Sequence, residues 1–344
     1  MKVAFLWPFL PEHEIQYFLE RLSGEVEADF GFGKPPPDRP LLPDVDVIPA
    51  HERSLQAVAE ADVIIGSRFD ARLLAAARRA RIVIIPFAGI LDHDRQTLQA
   101  FPYLKVCNSH YNAPFVAEHA MALLLAVAKR ILPYDRALRQ GLWQPPAGGG
   151  ASITLRGKTL GLLGYGAIGR HVAELAQAFG MRIEAIRRTP LVGPPPPPLQ
   201  FLGTSDHLKQ VLNRSDYVIV ALELTAETEG FLGAEEFSWV KPSSVLANVA
   251  RGTIVQEEPF YNALVDGRLA GAGIDTWYNY PPQSPQTMAP VTYPSRFPFW
   301  ELPNVVLSPH RAADAAERNL VRLEVLAEEL NWLAAGNPPH NVLW

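Results

Sequence analysis

The sequence predicts an α/β protein built on two doubly wound parallel sheets. Short apolar runs, "VAFLW", "DVDVI", "ADVIIG" and "RIVIIPF", alternate with helix-period segments in the first part of the chain. After the Gly/Pro stretch "QPPAGGGAS" a second series begins, "KTLGLLGYG", "DYVIVAL", "SSVLANV", "GAGID" and "NVVLSPH". At 344 residues, 48% of them hydrophobic, the chain is long enough to bury two cores.

Between the two series, "APFVAEHAMALLLAVAKRILPYDRALRQ" (residues 113–140) is apolar almost all round and predicts one long helix, buried between domains or subunits. The last periodic stretch, about residues 313–335, predicts a helix that packs back on the first unit. The 32 prolines concentrate in "KPPPDRPLLP" (34–43) and "GPPPPPLQ" (193–200), where missing backbone donors exclude helix and predict stiff surface loops. A rigid connector is the preferred reading of 194–198 over a polyproline-recognition segment.

Composition excludes several classes. A formal net charge of −5, with no block of like charges, offers no face for nucleic acid or an anionic membrane. The single cysteine, Cys107 in "LKVC", precludes an internal disulfide and reads as a small buried residue. "MKVAFLWPFLPEHE" is too short in its apolar part and too soon acidic for a signal peptide, so a cytoplasmic site is expected. No metal is expected.

The sharpest motif is Gly164-Tyr165-Gly166-Ala167-Ile168-Gly169, a G-x-G-x-x-G directly after the apolar run "LGLLG" and directly before a helix-period segment. In that setting the first glycine permits a tight turn, the second lets a pyrophosphate approach the backbone, and the third allows close helix–strand packing. NAD-binding versions carry an acid about 20 positions on, which accepts hydrogen bonds from the ribose. Here the following strand, "RIEAI", ends instead at Arg187 and Arg188, suited to charge-assisted hydrogen bonds with a 2′-phosphate. The pair points to NADP, with NAD as the alternative cofactor and solvated surface charge as the alternative reading of the arginines.

Beyond this fingerprint, "LELTAETEGFLGAEEF", "NVARGTIVQEEPFYNAL", "GRLAGAGIDTW" and "LPNVVLSPH", with "CNSHYNAPFVAEHAMALLLA" upstream, follow in an order that resembles the D-isomer-specific 2-hydroxyacid dehydrogenases. The resemblance covers roughly residues 60–320. It implies a Rossmann-type cofactor domain, residues 113–310, inserted in a flavodoxin-like substrate domain, residues 1–112 and 311–344, with the site in the cleft between them. It also implies association through the region around residues 114–131, hence a homodimer.

Residue by residue, Arg251 in "NVARG" matches the family arginine that grips the substrate carboxylate and carbonyl. A guanidinium fork suits a planar 2-oxo acid and polarises its carbonyl. His310 in "SPH" matches the family acid/base. Asp275 matches the aspartate near the nicotinamide carboxamide, while Thr225, Asn248 and Ala250 lie in segments that line the cofactor, where a structural role is the alternative. "PFAGILDHD" resembles the family's substrate-domain glycine loop and assigns carboxylate-binding amides to Ala88 and Gly89 or their neighbours. The family's usual second glycine is not evident there.

The resemblance breaks at one catalytic position. Counting on from Asp275 through "DTWYNYPP", the place of the family glutamate that pairs with the histidine falls on Tyr280, neutral at pH 7. The family's formate dehydrogenases carry a neutral glutamine there. Glu301, Asp92 and Asp94 are candidates to supply the missing charge. The resulting expectation is an NADP-dependent reductase of a small 2-oxo acid, of glyoxylate or hydroxypyruvate type. The rivals are a formate-dehydrogenase-like enzyme and a dinucleotide-sensing interaction protein like the family's corepressors.

Overall fold

The computed structural model describes residues 1–6, 10–30, 52–143, 151–281 and 291–344. The expectations for "DVDVI", for the proline-rich stretch 34–43, and for most of "QPPAGGGAS" lie outside the described residues. Two compact units emerge, Met1–Asn112 with Ala315–Trp344, and Ala113–Asp314.

The first unit holds strands β1 (Lys2–Leu6), β2 (Glu27–Phe30), β3 (Val63–Gly66), β4 (Ile82–Ile85) and β5 (Lys105–Asn108). Its helices from this part of the chain are α1 (Glu12–Leu19), α2 (Glu52–Glu60), α3 (Ala71–Ala76) and α4 (Asp92–Gln99). The strands form one parallel sheet in the order β2-β1-β3-β4-β5. Successive side chains point to opposite faces, so Ala4, Leu6 and Ile64 join one core with α2 and α3, while Val3, Phe5, Val63 and Ile65 join the other. Both layers are buried, which is why the strands read as continuous apolar runs rather than alternating ones. Cys107 lies within β5, where burial pushes its thiol up to about 11.

The second unit opens with α5 (Ala113–Ala128) and α6 (Ile131–Leu138). There follow β6 (Thr159–Leu163), α7 (Ala167–Ala178), β7 (Arg182–Ile186), β8 (Phe201–Gly203), α8 (Leu208–Arg214) and β9 (Tyr217–Val220). The unit is completed by α9 (Ala234–Trp239), β10 (Val245–Asn248), α10 (Glu257–Val265), β11 (Gly271–Ile274) and β12 (Val305–Leu307). All its strand pairs are parallel, in the order β12-β11-β10-β9-β6-β7-β8. The order reverses between β6 and β9, the switch point at whose carboxyl ends such sheets bind ligands. The short edge strand β8, not picked out from the sequence, extends this sheet beyond β7.

One helix was expected over 113–140, and the chain forms two. Arg130 adopts a left-handed backbone, φ 56°, after α5 ends. Pro133 explains the break: it lacks an N–H, and its ring would clash with the Lys129 carbonyl of a continued helix, but it is tolerated in the first turn of a new one. The apolar circumference of α5 is largely consumed within its own unit, where Val116, Ala117, Ala120, Met121 and Leu124 join the core with Leu160, Leu162 and Val172.

The terminal helix α11 (Arg318–Ala334) returns to the first unit and packs beside α1. Leu323, Leu326 and Leu330 meet Val3, Phe5 and Phe18. Leu330 is fully buried there, so Leu330→Ala is expected to destabilise the protein by about 2–5 kcal/mol, through lost burial and the cavity left behind. An unchanged urea midpoint would show that α11 does not complete this core.

Candidate functional site

The glycine fingerprint forms the turn between β6 and α7. Gly164 has φ 108°, and a Cβ there would stand 2.4 Å from the Ala221 carbonyl oxygen. A Cβ on Gly169 would stand 2.2 Å from the Gly164 oxygen, so the first and third glycines are required by the protein itself. At Gly166, the N-cap of α7, an added Cβ meets nothing. The cradle is open at the residue where a pyrophosphate would approach, against the N-terminus of a twelve-residue helix. The fit to a dinucleotide is therefore geometric as well as sequential.

The amides of Gly164 and Tyr165 both donate to the Ile186 carbonyl at the end of β7, both at 3.1 Å. This stitches the turn to the segment that carries Arg187 and Arg188. Arg187 is partly buried, with Nε donating to the Thr189 carbonyl at 2.6 Å; Arg188 is exposed and adds a small pull to the Thr225 hydrogen bond that chiefly lowers the Glu227 carboxyl. Arg187 also lines a cavity of about 480 Å³ with Tyr165, Arg170 and Pro196–Pro198. Pro196–Pro198, the end of the 194–198 stretch, thus form one wall beside the turn.

The remaining site residues of the second unit follow the carboxyl ends of β9, β10, β11 and β12. Asn248 Oδ1 accepts from the Ala250 amide at 3.1 Å, and its Nδ2 donates to the Arg251 carbonyl at 3.1 Å, so the Asn248 side chain braces the turn that presents Arg251. The exposed Arg251 guanidinium is tied at one end, Nη1 donating to the Ala250 carbonyl at 2.7 Å. Thr225 opens a turn closed by Thr228, whose Oγ1 accepts from the Thr225 amide at 2.7 Å.

Asp275 is completely buried, and its carboxylate is taken up by protein donors. Oδ1 accepts from Ser308 Oγ at 2.5 Å and from the Arg311 amide at 2.8 Å; Oδ2 accepts from the Ala312 amide at 3.0 Å. His119 Nε2 lies 2.9 Å from Ser308 Oγ and 3.4 Å from Asp275 Oδ1. Because the serine proton goes to Asp275, the arrangement assigns a proton to His119 Nε2. Burial by itself would raise the Asp275 carboxyl, but these hydrogen bonds outweigh it and hold the group down at about 2.

These contacts fix His310. Its backbone is left-handed, φ 58°, a conformation uncommon for a residue with a Cβ. Two residues before it the Ser308 carbonyl accepts from Trp277 Nε1 at 2.8 Å, and immediately after it Asp275 holds two consecutive amides. The Tyr280 ring lies 5.4 Å from the His310 ring, tilted by 53°. The Tyr280 oxygen accepts from the Trp277 amide at 3.0 Å.

Although the His310 ring reaches the surface, partial burial lowers its pKa below the ordinary value; Arg251 pushes the same way and Asp275 opposes both. Burial raises the Tyr280 phenol, against the pull of the Trp277 amide and Arg251. Among the described residues the carboxylate that acts on His310 is Asp275; Glu301 sits in a short 3-10 turn, Phe299–Glu301. Asp94 is fully buried in the first unit, accepting from the Phe69 amide at 2.9 Å. The Asp92 side chain and residues 282–290 of the long loop lie outside the described residues.

In the first unit, Ala88 and Gly89 follow β4, with the Ala88 carbonyl accepting from Asn108 Nδ2 at 2.6 Å. Three residues that shape the His310 segment were not picked out from the sequence: His119, Ser308 and Trp277. The serine adjoins "PH" and was visible; His119 sits in an apolar helix and gave no signal. Among the described residues no group of three or more His, Cys, Asp or Glu is placed to hold a metal ion, and no helix is long and apolar enough to cross a membrane.

Comparison with known proteins agrees with this geometry. A glyoxylate reductase of Korarchaeum cryptofilum is 30% identical over 342 residues, covering 94% of this chain and 92% of that protein. A D-3-phosphoglycerate dehydrogenase of Mycobacterium tuberculosis is 33% identical over 275 residues, 78% of this chain, which spans only 48% of that protein's length. Among solved structures, an acyclic imino acid reductase in complex with NADPH and D-Arg superposes with a TM-score of 0.68, at 26% identity, covering 100% of both chains. Residues 121–312 match the model of the D-isomer specific 2-hydroxyacid dehydrogenase NAD binding domain, and with that match over most of the second unit the chain belongs to this dehydrogenase family.

Proposed function

We propose that this protein is a cytoplasmic, NADP-dependent reductase of small 2-oxo acids, of glyoxylate or hydroxypyruvate type, with NAD as the alternative cofactor. The observation that carries the reading is that His310, on a segment held by Asp275, has the Tyr280 ring and the Arg251 charge beside it, in the same unit as a glycine cradle followed by two arginines. The second unit is assigned the cofactor and the first, through the loop at Ala88 and Gly89, substrate binding.

A bound nicotinamide supplies the hydride. Arg251, anchored at one end to Ala250, aims its remaining N–H groups at the carboxylate and carbonyl oxygen of the 2-oxo acid, drawing electron density from the carbon that is reduced. His310 gives its proton to the developing alkoxide, so one hydride and one proton convert the ketone to the 2-hydroxy acid. Tyr280, whose oxygen accepts from the Trp277 amide, retains its O–H to orient the histidine ring or the substrate. Asp275 acts as a positioning residue, its carboxylate committed to the backbone around His310.

The direct test is a panel of 2-oxo acids with NADPH and NADH, and of formate with both oxidised cofactors. Turnover of glyoxylate or hydroxypyruvate with NADPH is expected. Cofactor binding without turnover of any substrate would leave a dinucleotide-sensing protein instead. Arg187→Asp is expected to weaken NADPH binding by about 1.5–3 kcal/mol, the range for a hydrogen bond to a charged group, and to shift preference toward NADH. An unchanged ratio of the two affinities would make the arginines ordinary surface charge.

The homodimer, expected around residues 114–131, is assigned instead to the surface of α6 and the residues after it, because α5 packs its apolar residues within its own unit while Ile131, Leu138, Leu142 and Trp143 are 53%, 51%, 50% and 87% exposed. Light scattering should give a dimer, and Leu138→Asp with Trp143→Asp should dissociate it. A 38.0 kDa particle for the unaltered protein across micromolar concentrations would remove the assignment.

The pH dependence follows from His310. Reduction requires the protonated ring; its folded pKa is lowered, so the rate should fall as pH rises through a range below the ordinary histidine value of about 6.5. Tyr280→Glu would add a carboxylate beside the ring and move the descending limb up by about one pH unit or more. Tyr280→Phe should leave the limb in place. A rate flat to alkaline pH in the unaltered enzyme, with chemistry limiting, would mean that some other acid partners His310.

A further inference from the structure

Arg322, on α11, is only 6% exposed, among the few charged side chains buried to that degree. Its guanidinium stands 4.9 Å from the centre of the Phe87 ring and 4.5 Å from that of Tyr111, and Nη2 donates to the Tyr111 hydroxyl. Glu14 on α1, itself buried, contributes a balancing negative charge, while Arg318 one turn earlier on α11 opposes it. A buried cation is a poor way to gain stability, because desolvation offsets most of what its contacts return. The position therefore asks what the guanidinium does that an apolar side chain would not.

Its two aromatic partners answer that. Phe87 lies just after β4 and Tyr111 just after β5, at the carboxyl ends of neighbouring strands, where parallel sheets bind ligands. The same two loops are already stitched: the Phe87 carbonyl accepts from the Ser109 amide at 3.2 Å, and the Ala88 carbonyl accepts from Asn108 Nδ2 at 2.6 Å. Phe87 and Ala88 thus have their carbonyls tied to the β5 side. The Gly89 residue that follows is exposed. Arg322 holds the Phe87 ring against this arrangement from the helix side. A planar cation stacks on an aromatic face while hydrogen-bonding in its own plane, a combination that neither lysine nor a hydrocarbon reproduces.

We propose that Arg322 is a positioning residue for substrate recognition: by clamping Phe87 and Tyr111 together it sets the orientation of the loop at residues 87–90, and so the affinity for the 2-oxo acid carboxylate. The proposal rests on the assignment of this loop to the substrate. Arg322→Met, which keeps length and removes the planar charge, and Arg322→Lys, which keeps the charge and loses the fork, are compared with the unaltered enzyme, together with Tyr111→Phe, which removes only the acceptor. Amide hydrogen exchange at residues 87–90, KM and kcat for glyoxylate, and the NADPH dissociation constant are measured on each.

Both Arg322 variants should exchange faster at 87–90 and raise KM by about tenfold while kcat and NADPH affinity stay near their original values, the signature of lost substrate binding rather than lost chemistry. Tyr111→Phe should show a smaller rise of the same kind, and it carries the test if the Arg322 variants do not fold. Unchanged exchange, or faster exchange with an unchanged KM, would make Arg322 a core residue and overturn the inference. Rescue of KM by lysine would overturn the clamp in favour of simple charge. An unaltered enzyme that reduces no 2-oxo acid defeats the functional assignment first, and this inference with it; an active enzyme with KM unmoved in the variants defeats this inference alone.

Discussion

Asp275 carries its charge with no exposure to solvent, and a buried carboxylate is tolerable only where donors surround it. Here the donors come from Ser308, the Arg311 and Ala312 amides and, more distantly, His119 on α5. The consequence runs both ways. The carboxylate stays ionised far below neutral pH, and the backbone from Ser308 to Ala312 is held in a path it would not take by itself, with His310 in the left-handed region. Trp277 closes the same segment from the other side through the Ser308 carbonyl. The Arg251 turn is braced in a parallel manner by Asn248.

What surrounds His310 differs in kind from the paired glutamate that the family resemblance of the sequence implies. A phenol ring lies beside it, a guanidinium acts on it, and the carboxylate of Asp275 that acts on it is already committed to backbone amides. Partial burial and Arg251 disfavour the imidazolium, and Asp275 recovers only part of that. An enzyme so arranged keeps its histidine neutral to lower pH than an unperturbed imidazole, which makes proton donation in the reductive direction dependent on acidity.

The first unit shows the same economy of contacts across distant parts of the chain. The return of α11 to α1 completes a core that the first 112 residues leave open, and the same helix places Arg322 between the rings of Phe87 and Tyr111. Packing and loop geometry are thus coupled through one element: the face of α11 that carries Leu323, Leu326 and Leu330 fixes the height at which its arginine meets the loops.

Much of this was legible in the sequence because its causes are local. The glycines at 164 and 169 are demanded by clashes within one strand–turn–helix unit, and the buried strands announce themselves as apolar runs because both of their faces are covered. Pro133 was equally local, and its break in the long apolar helix could have been read from the missing N–H alone. The edge strands β2 and β8 were not, since a short edge strand carries half-exposed residues and no continuous apolar signature. Nor could the sequence join His119, Asp275 and Ser308, which come from α5, the end of β11 and the segment after β12, or place Arg322 between Phe87 and Tyr111. By itself the sequence determined the two sheets, the glycine turn and the family to which the chain belongs. Only the tertiary structure decided which charges are buried together, because that depends on which distant segments displace water from one another, and hydrophobic patterning specifies faces rather than partners.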